Sequence, residues 1–179
     1  MNIYLDIDNT LITSNGYETT PANHLKEFLD YMLKNHSVYW LSTHCNGDAD
    51  TAASYISRFI NGDFGDQVLQ IKPTKWKVLK TEAINLNEDF IWFDDILTYG
   101  EQKVLEKYNK LGSFVKVDFK DNPDIFLDFI EKPVACRGYI IDFLGRSYML
   151  HIWFWPKLQI GWHKKESEPT MNLFAIRRY

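Results

Sequence analysis

Asp6 and Asp8 stand two residues apart in NIYLDIDNTLIT, directly behind a run that reads as a buried strand. Side chains at i and i+2 of a strand point to the same face. Two carboxylates placed that way repel each other and raise each other's pKa. A second acidic pair, Asp94 and Asp95, ends the apolar run IWFDD. Such acids become compatible when a divalent cation sits between them and a substrate. Mg²⁺ takes oxygen ligands and is commonly held by one or two carboxylates plus phosphate oxygens, and its charge reverses the local repulsion. The candidate metal ligands are therefore Asp6, Asp8, Asp94 and Asp95.

Asp6, at the strand end, is placed to attack phosphorus and form an acyl phosphate. Asp8, one step further, is placed to protonate the leaving oxygen and then to deprotonate the attacking water. A hydroxyl at Ser42 or Thr43, after the strand SVYWLS, and a lysine would bind the phosphoryl oxygens.

The elements that must position these groups alternate along the chain. Strand-like runs cover 2–8, SVYWLS, QVLQI, DFIWFDD and SFVKVDF. Between them lie amphipathic segments that read as helices. The first is TPANHLKEFLDYMLKN, with Thr20 as cap, Pro21 at the first position and a stripe of Leu25, Phe28, Leu29, Met32 and Leu33. DADTAASYISRFI follows with Asp48 as cap, and TKWKVLKTEAINL reads as a third helix. TYGEQKVLEKYNKLG carries a capping box, Thr98 and Glu101, and a terminal Gly112. NPDIFLDFIEK has Asn122 as cap. Five alternations predict an α/β fold, a Rossmann-like parallel sheet of about five strands with helices on both faces. Ligands of such sheets bind outside the carboxyl ends of the strands, where the acids and hydroxyls fall.

DIDNTL matches the DxDxT signature of the haloacid dehalogenase (HAD) superfamily. VYWLST resembles its second motif, Lys75 its third and IWFDD its fourth. The likeness runs over residues 1 to about 131. It implies a phosphoric monoester hydrolase in which Asp6 is the nucleophile and Asp8 the acid/base, with the Asp8 backbone carbonyl on Mg²⁺. It implies that Thr10 supports the loop and belongs with Ser42, Thr43 and Lys75 to the phosphate-binding set, and that Asp94 is the leading metal ligand of the fourth motif, followed by Asp95. Ser42 and Thr43 both fit the second motif, with Ser42 nearer the strand end. Lys72 and Lys77 compete with Lys75. No segment has room for an inserted cap domain, only for a flap-like LITSNGYETT. By resemblance, an open site of this kind takes large substrates such as nucleic-acid ends or phosphoproteins.

The chain has 179 residues, 45% hydrophobic and 25% charged, and a net charge of −4. The charge is uneven. Up to Glu131 there are 12 basic and 21 acidic residues; from Lys132 onward there are 8 and 3. This divides the chain into a catalytic core, 1–132, and a basic, aromatic, β-rich C-terminal appendage, 133–179. The appendage reads as a hairpin turning at LGRS, with Tyr139, Phe143, Tyr148, Trp153, Phe154, Trp155 and Trp162. Basic charge with aromatics suits a nucleic-acid backbone and its bases; packing of a small β subdomain accounts for most of the tryptophans more simply. The alternative to a phosphatase is a non-catalytic binding module that grips a partner through this tail. A homo-oligomer stays open.

No apolar run approaches the roughly 20 residues that cross a bilayer, and the N-terminus enters an acid-bearing strand rather than a secretory signal. Two cysteines, Cys45 and Cys136, form no disulfide framework. These features predict a cytoplasmic protein without membrane partners. His24, His36, His151 and His163 show no metal-ligand spacing. His44, beside the second motif, reads equally as substrate-facing or as plain surface. Cys45 reads as a small neutral filler.

Overall fold

The computed structural model describes residues 1–131 apart from 61, 63 and 64, together with the backbone of 137–141 and 147–151. Four parallel strands form the central sheet: β1 (Asn2–Leu5), β4 (Ser37–Trp40), β5 (Phe90–Asp94) and β6 (Phe114–Lys116), in the order β4-β1-β5-β6. Their β-branched and aromatic residues suit strands buried on both faces. β1 is central, with Leu5 in register with Trp40 on one side and Phe93 on the other.

Two hydrophobic clusters flank the sheet. On one face Ile3, Leu5, Val38, Trp40, Ile91, Phe93 and Val115 meet three helices, α1 (Leu25–Asn35), α2 (Ala49–Ile56) and α5 (Ile125–Glu131). On the other, Tyr4, Leu41, Phe90 and Trp92 meet Ile84 and Leu105, the latter on α4 (Tyr99–Lys107). The expected stripe on α1 is the buried one, with Leu33 half-buried. The Asp48 cap of α2 and the Thr98–Glu101 capping box of α4 are both formed. Asn122 Oδ1 accepts from Asp124 N ahead of α5.

Several expectations are corrected. Among the described residues the sheet has four strands rather than about five. The expected third strand, QVLQI, begins instead inside the short helix α3 (Gly65–Val68). Its remainder is turn, and just beyond it Lys72 makes a single parallel bridge to Tyr39 at the outer edge of β4. Pro73 follows at once and has no N–H to extend the ladder. The expected helix over 74–86 is a 3₁₀ turn, Lys80–Ala83. Thr74 is pinned to the Trp40 carbonyl, and the Glu82 carboxylate accepts from the amides of Lys77 and Leu79. Those side-chain bonds satisfy the backbone in a non-helical path.

Thr20 and Pro21 do not start α1. They lie in β3 (Thr19–Pro21), which pairs antiparallel with β2 (Ile12–Ser14). The turn between them has Asn15 Oδ1 accepting from the amides of Tyr17 and Glu18, with Gly16 at φ +88°. This hairpin is the flap-like segment. α1 begins after His24, which has no side-chain cap bond. α4 ends at Asn109 in the left-handed region rather than at Gly112: Lys110 N returns to Leu105 O at 2.8 Å.

In the appendage, β7 (Arg137–Ile141) pairs antiparallel with β8 (Ser147–His151), with Ile141 opposite Ser147. Most of the LGRS turn, and Cys136, Phe143, Trp153, Phe154, Trp155, Trp162 and His163, lie outside the described residues. Among the described residues no helix is long and apolar enough to cross a membrane.

Candidate active site

Strand order reverses around β1. The chain steps from β1 to β4 on one side and then returns to β5 on the other. That switch point is where a parallel sheet opens a crevice at its carboxyl edge. Register places the next residues of β1 and β5 side by side there: Asp6 follows Leu5, and Asp94 follows Phe93. Asp6 N donates to Phe93 O at 3.1 Å. Both carboxylates are buried, Asp6 at 7% exposure and Asp94 at 1%.

Lys80 lies between them. Its Nζ is 3.1 Å from Asp6 Oδ1 and 2.6 Å from Asp94 Oδ2. Trp92 Nε1 also donates to Asp94 Oδ2, at 3.0 Å, and Ile96 N donates to Oδ1 at 3.1 Å. Burial and then the Asp6 charge push the Asp94 carboxyl up to about 7, against the pull of Lys80. Burial likewise raises Asp6, opposed by Lys80, by the Ile7 amide and by a hydrogen bond from Ser42. Burial disfavours the Lys80 ammonium, but the charges of Asp6 and Asp94 outweigh it and raise its pKa. Among the described residues, one partly buried cation thus serves two buried anions, and the site carries excess negative charge.

Asp95 is half-buried and Asn9 Nδ2 donates to its Oδ2 at 3.2 Å. Asn9 itself sits at φ +54°, which lets the loop after β1 turn back. Asp6, Asp94 and Asp95 each bring one oxygen within 4.8 Å of the others. An all-carboxylate set of this kind could hold a hard, oxygen-binding cation. Three donors already engage Asp94, whereas Asp95 keeps one oxygen without a hydrogen bond among the described residues.

Asp8 has a separate set of partners. β1 ends at Leu5, so Asp6 and Asp8 do not continue one strand face. Tyr55 OH donates to Asp8 Oδ1 at 2.8 Å, and His44 Nε2 lies 2.9 Å from Oδ2. The two rings stack, centroids 3.5 Å apart and planes at 12°. The hydrogen bond to Asp8, with burial and the Asp8 charge behind it, raises the Tyr55 pKa and keeps the phenol protonated. The expected mutual shift of Asp6 and Asp8 is not what perturbs Asp6: the groups acting on it are those above.

Asp6, Asp8, Asn9, Thr43, Lys80, Asp94 and Asp95 line one cleft of about 720 Å³. Its rim is apolar, with Trp76, Val78, Ile96 and Tyr99. Thr43 is exposed on its wall, whereas Ser42 is buried against Asp6. Thr10 is fully buried below the loop, and its hydroxyl has no hydrogen-bond partner among the described residues. Lys75 is exposed and its stem lies along Gly47, away from the acids. Cys45 is buried and accepts from Thr74 N at 3.4 Å, the filler role expected of it.

The lysine at the carboxylates is therefore Lys80 rather than Lys75, Lys72 or Lys77. One sequence signal marks it. Read as a helix, 74–86 puts Lys80 on the stripe of Trp76, Leu79 and Ala83, and a lysine on an apolar stripe needs an anionic partner. The segment is held by α4: Glu101, 4% exposed, accepts from Lys80 N at 3.0 Å through one oxygen and from Thr98 N at 3.0 Å through the other. Comparison with family models, curated proteins and solved structures finds no match to this chain.

Proposed function

We propose that this protein is a Mg²⁺-dependent phosphomonoesterase of the HAD type that works through an aspartyl-phosphate. The observation that carries the reading is the pairing of Asp6 and Asp94 across neighbouring parallel strands, bridged by Lys80, in a cleft that also holds Asp8 and Asp95.

Asp6 is the nucleophile. Its buried carboxylate is fixed by Lys80 and Ser42, so little reorganisation precedes attack on phosphorus. Lys80 favours the ionised form of Asp6 against its burial and offers its ammonium to the phosphoryl oxygens. Asp8 donates a proton to the leaving oxygen and takes one from the water that then attacks phosphorus. Thr43, on the cleft wall, binds a phosphoryl oxygen. Bound to Asp6, Asp95 and the Asp8 backbone carbonyl, Mg²⁺ would neutralise charge on the phosphoryl group and draw it toward Asp6. Asp94 orients Lys80 from behind.

The β2–β3 hairpin is the one insertion after β1 before α1, and no cap domain interrupts the described core. That openness supports a large substrate, a nucleic-acid end or a phosphoprotein. The basic balance of 132–179 supports the nucleic acid of the two. The test is Mg²⁺-dependent phosphate release from an aryl phosphate, with Asp6→Asn alongside. Loss of turnover on that substitution and on chelation is expected. Turnover that survives Asp6→Asn rules the mechanism out.

A further inference from the structure

We propose that His44 and Tyr55 are positioning residues that hold the Asp8 carboxylate at the angle from which it protonates the leaving group. The inference rests on the phosphatase reading above, in which Asp8 is the acid/base. Neither residue belongs to a motif that the sequence resemblance supplies.

The Asp8 side chain is 46% exposed, on a loop rather than a strand. The terminal torsion of an aspartate is broad, so an exposed one swings freely. Here each oxygen has its own holder, Tyr55 OH on Oδ1 at 2.8 Å and His44 Nε2 at Oδ2 at 2.9 Å. The holders are fixed on each other by their stacked rings. Tyr55 also packs edge-on against Phe59, with centroids 5.5 Å apart. His44 is tied to the β4 loop by its amide, which donates to Ser42 Oγ at 3.4 Å.

A contact between side chains this exposed adds little to stability. It does fix direction. A carboxyl group has about four lone-pair sites, and the clamp uses one on each oxygen. One site on each oxygen stays open, enough for the transferred proton and for the leaving oxygen or water. In the transfer step a bond forms between Asp6 and phosphorus. The phosphorus–oxygen bond breaks with its electron pair on the leaving oxygen, and the Asp8 proton goes to that oxygen. In the hydrolytic step Asp8 takes a proton from the water that attacks phosphorus, and Asp6 departs as carboxylate, so both groups are restored.

General-acid assistance matters in proportion to the basicity of the leaving oxygen. This gives a readout that a merely structural contact would not move. kcat/KM, which reports the transfer step, is measured with Mg²⁺ for p-nitrophenyl phosphate, whose leaving oxygen needs no proton, and for benzyl phosphate, whose leaving oxygen does. Tyr55→Phe keeps the ring and removes only the hydroxyl. It is expected to lose about tenfold or more on benzyl phosphate and less than about threefold on p-nitrophenyl phosphate. His44→Gln, whose amide reaches the same oxygen, is expected to retain more benzyl phosphate activity than His44→Ala. Equal losses on the two substrates, or no loss on either, overturn the clamp. So does a His44→Gln as damaged as His44→Ala. Asp6→Asn, assayed beside them, separates the two readings. If it is inactive while Tyr55→Phe loses activity evenly, the clamp alone fails; if it stays active, the phosphatase reading fails and takes the clamp with it.

Discussion

Lys80→Met keeps the length and apolar character of the stem and removes the ammonium. In the native site that ammonium is 3.1 Å from Asp6 and 2.6 Å from Asp94, with 15% of the Lys80 side chain exposed. At an effective dielectric of about 20, a contact of roughly 3 Å carries about 5 kcal/mol of Coulomb energy per pair before desolvation. Burying the ammonium cancels much of this. Removing one partner of a buried pair nevertheless costs about 3–5 kcal/mol, because the remaining charges lose their counter-ion. The cost depends on pH with a definite sign. Asp6 and Asp94 already titrate above their ordinary value, Asp94 at about 7, and without Lys80 both rise further. A group whose pKa is raised by folding contributes its stability below the unfolded value and loses it as pH climbs through the folded value. Near pH 5, roughly, Asp94 is protonated in both proteins and adds nothing to the gap; above about 7, where native Asp94 ionises, its contribution grows by up to about 1.4 kcal/mol per pH unit. Urea unfolding followed by fluorescence of the buried Trp40 and Trp92, with chelator present, measures that gap. A gap that stays constant within about 0.5 kcal/mol across the range refutes the argument and makes Lys80 a packing residue.

Asp95→Asn is expected to raise the Mg²⁺ concentration that gives half-maximal thermal stabilisation by about tenfold or more, against a native gain of about 2.7 kcal/mol at a hundredfold excess over Kd; a calorimetric or dye-based melting series reads both. Glu101→Ala strips the acceptor from the amides of Lys80 and Thr98 and should cost about 2–4 kcal/mol in urea unfolding, with kcat falling because Lys80 loses its anchor. Lys75→Ala should shift stability by less than about 0.5 kcal/mol. It should also leave steady-state kinetics near native, since Lys75 is exposed and outside the cleft.

The acids were legible because each follows a continuous apolar run, and a buried parallel strand announces itself that way. Caps were legible where one side chain meets one nearby amide, as at Asp48 and at Thr98 with Glu101. The Asp8 clamp was not. Its contacts join residues 36 and 47 positions apart, and no local period brings His44 or Tyr55 to Asp8. The segment 67–86 misled for a different reason. Its β-rich and amphipathic patterns are real, but Pro73 stops the ladder, and Thr74 and Glu82 bond the backbone out of a helix. Pattern gives the buried side of a segment more dependably than the conformation that buries it.

Lys80 illustrates how topology and local bonding divide the work. The chain leaves its bridge at the outer edge of β4 and enters the sheet again at β5, beyond β1. The connection therefore crosses the face made by Tyr4 and Trp92, and Asn85 N donates to Tyr4 OH on the way, at 3.2 Å. The cation at Asp6 and Asp94 comes from that crossing. Lys75, Lys77 and Lys80 all belong to it. Two carboxylates outside the cation's own contacts hold the crossing in place: Glu82 accepts from the amide of Lys77, and Glu101, on α4, accepts from the amide of Lys80. The capping box of α4 is thus also the register pin of the site. A shift of the crossing by one residue would put Leu79 or Thr81 before the acids and leave two buried carboxylates facing each other without a cation.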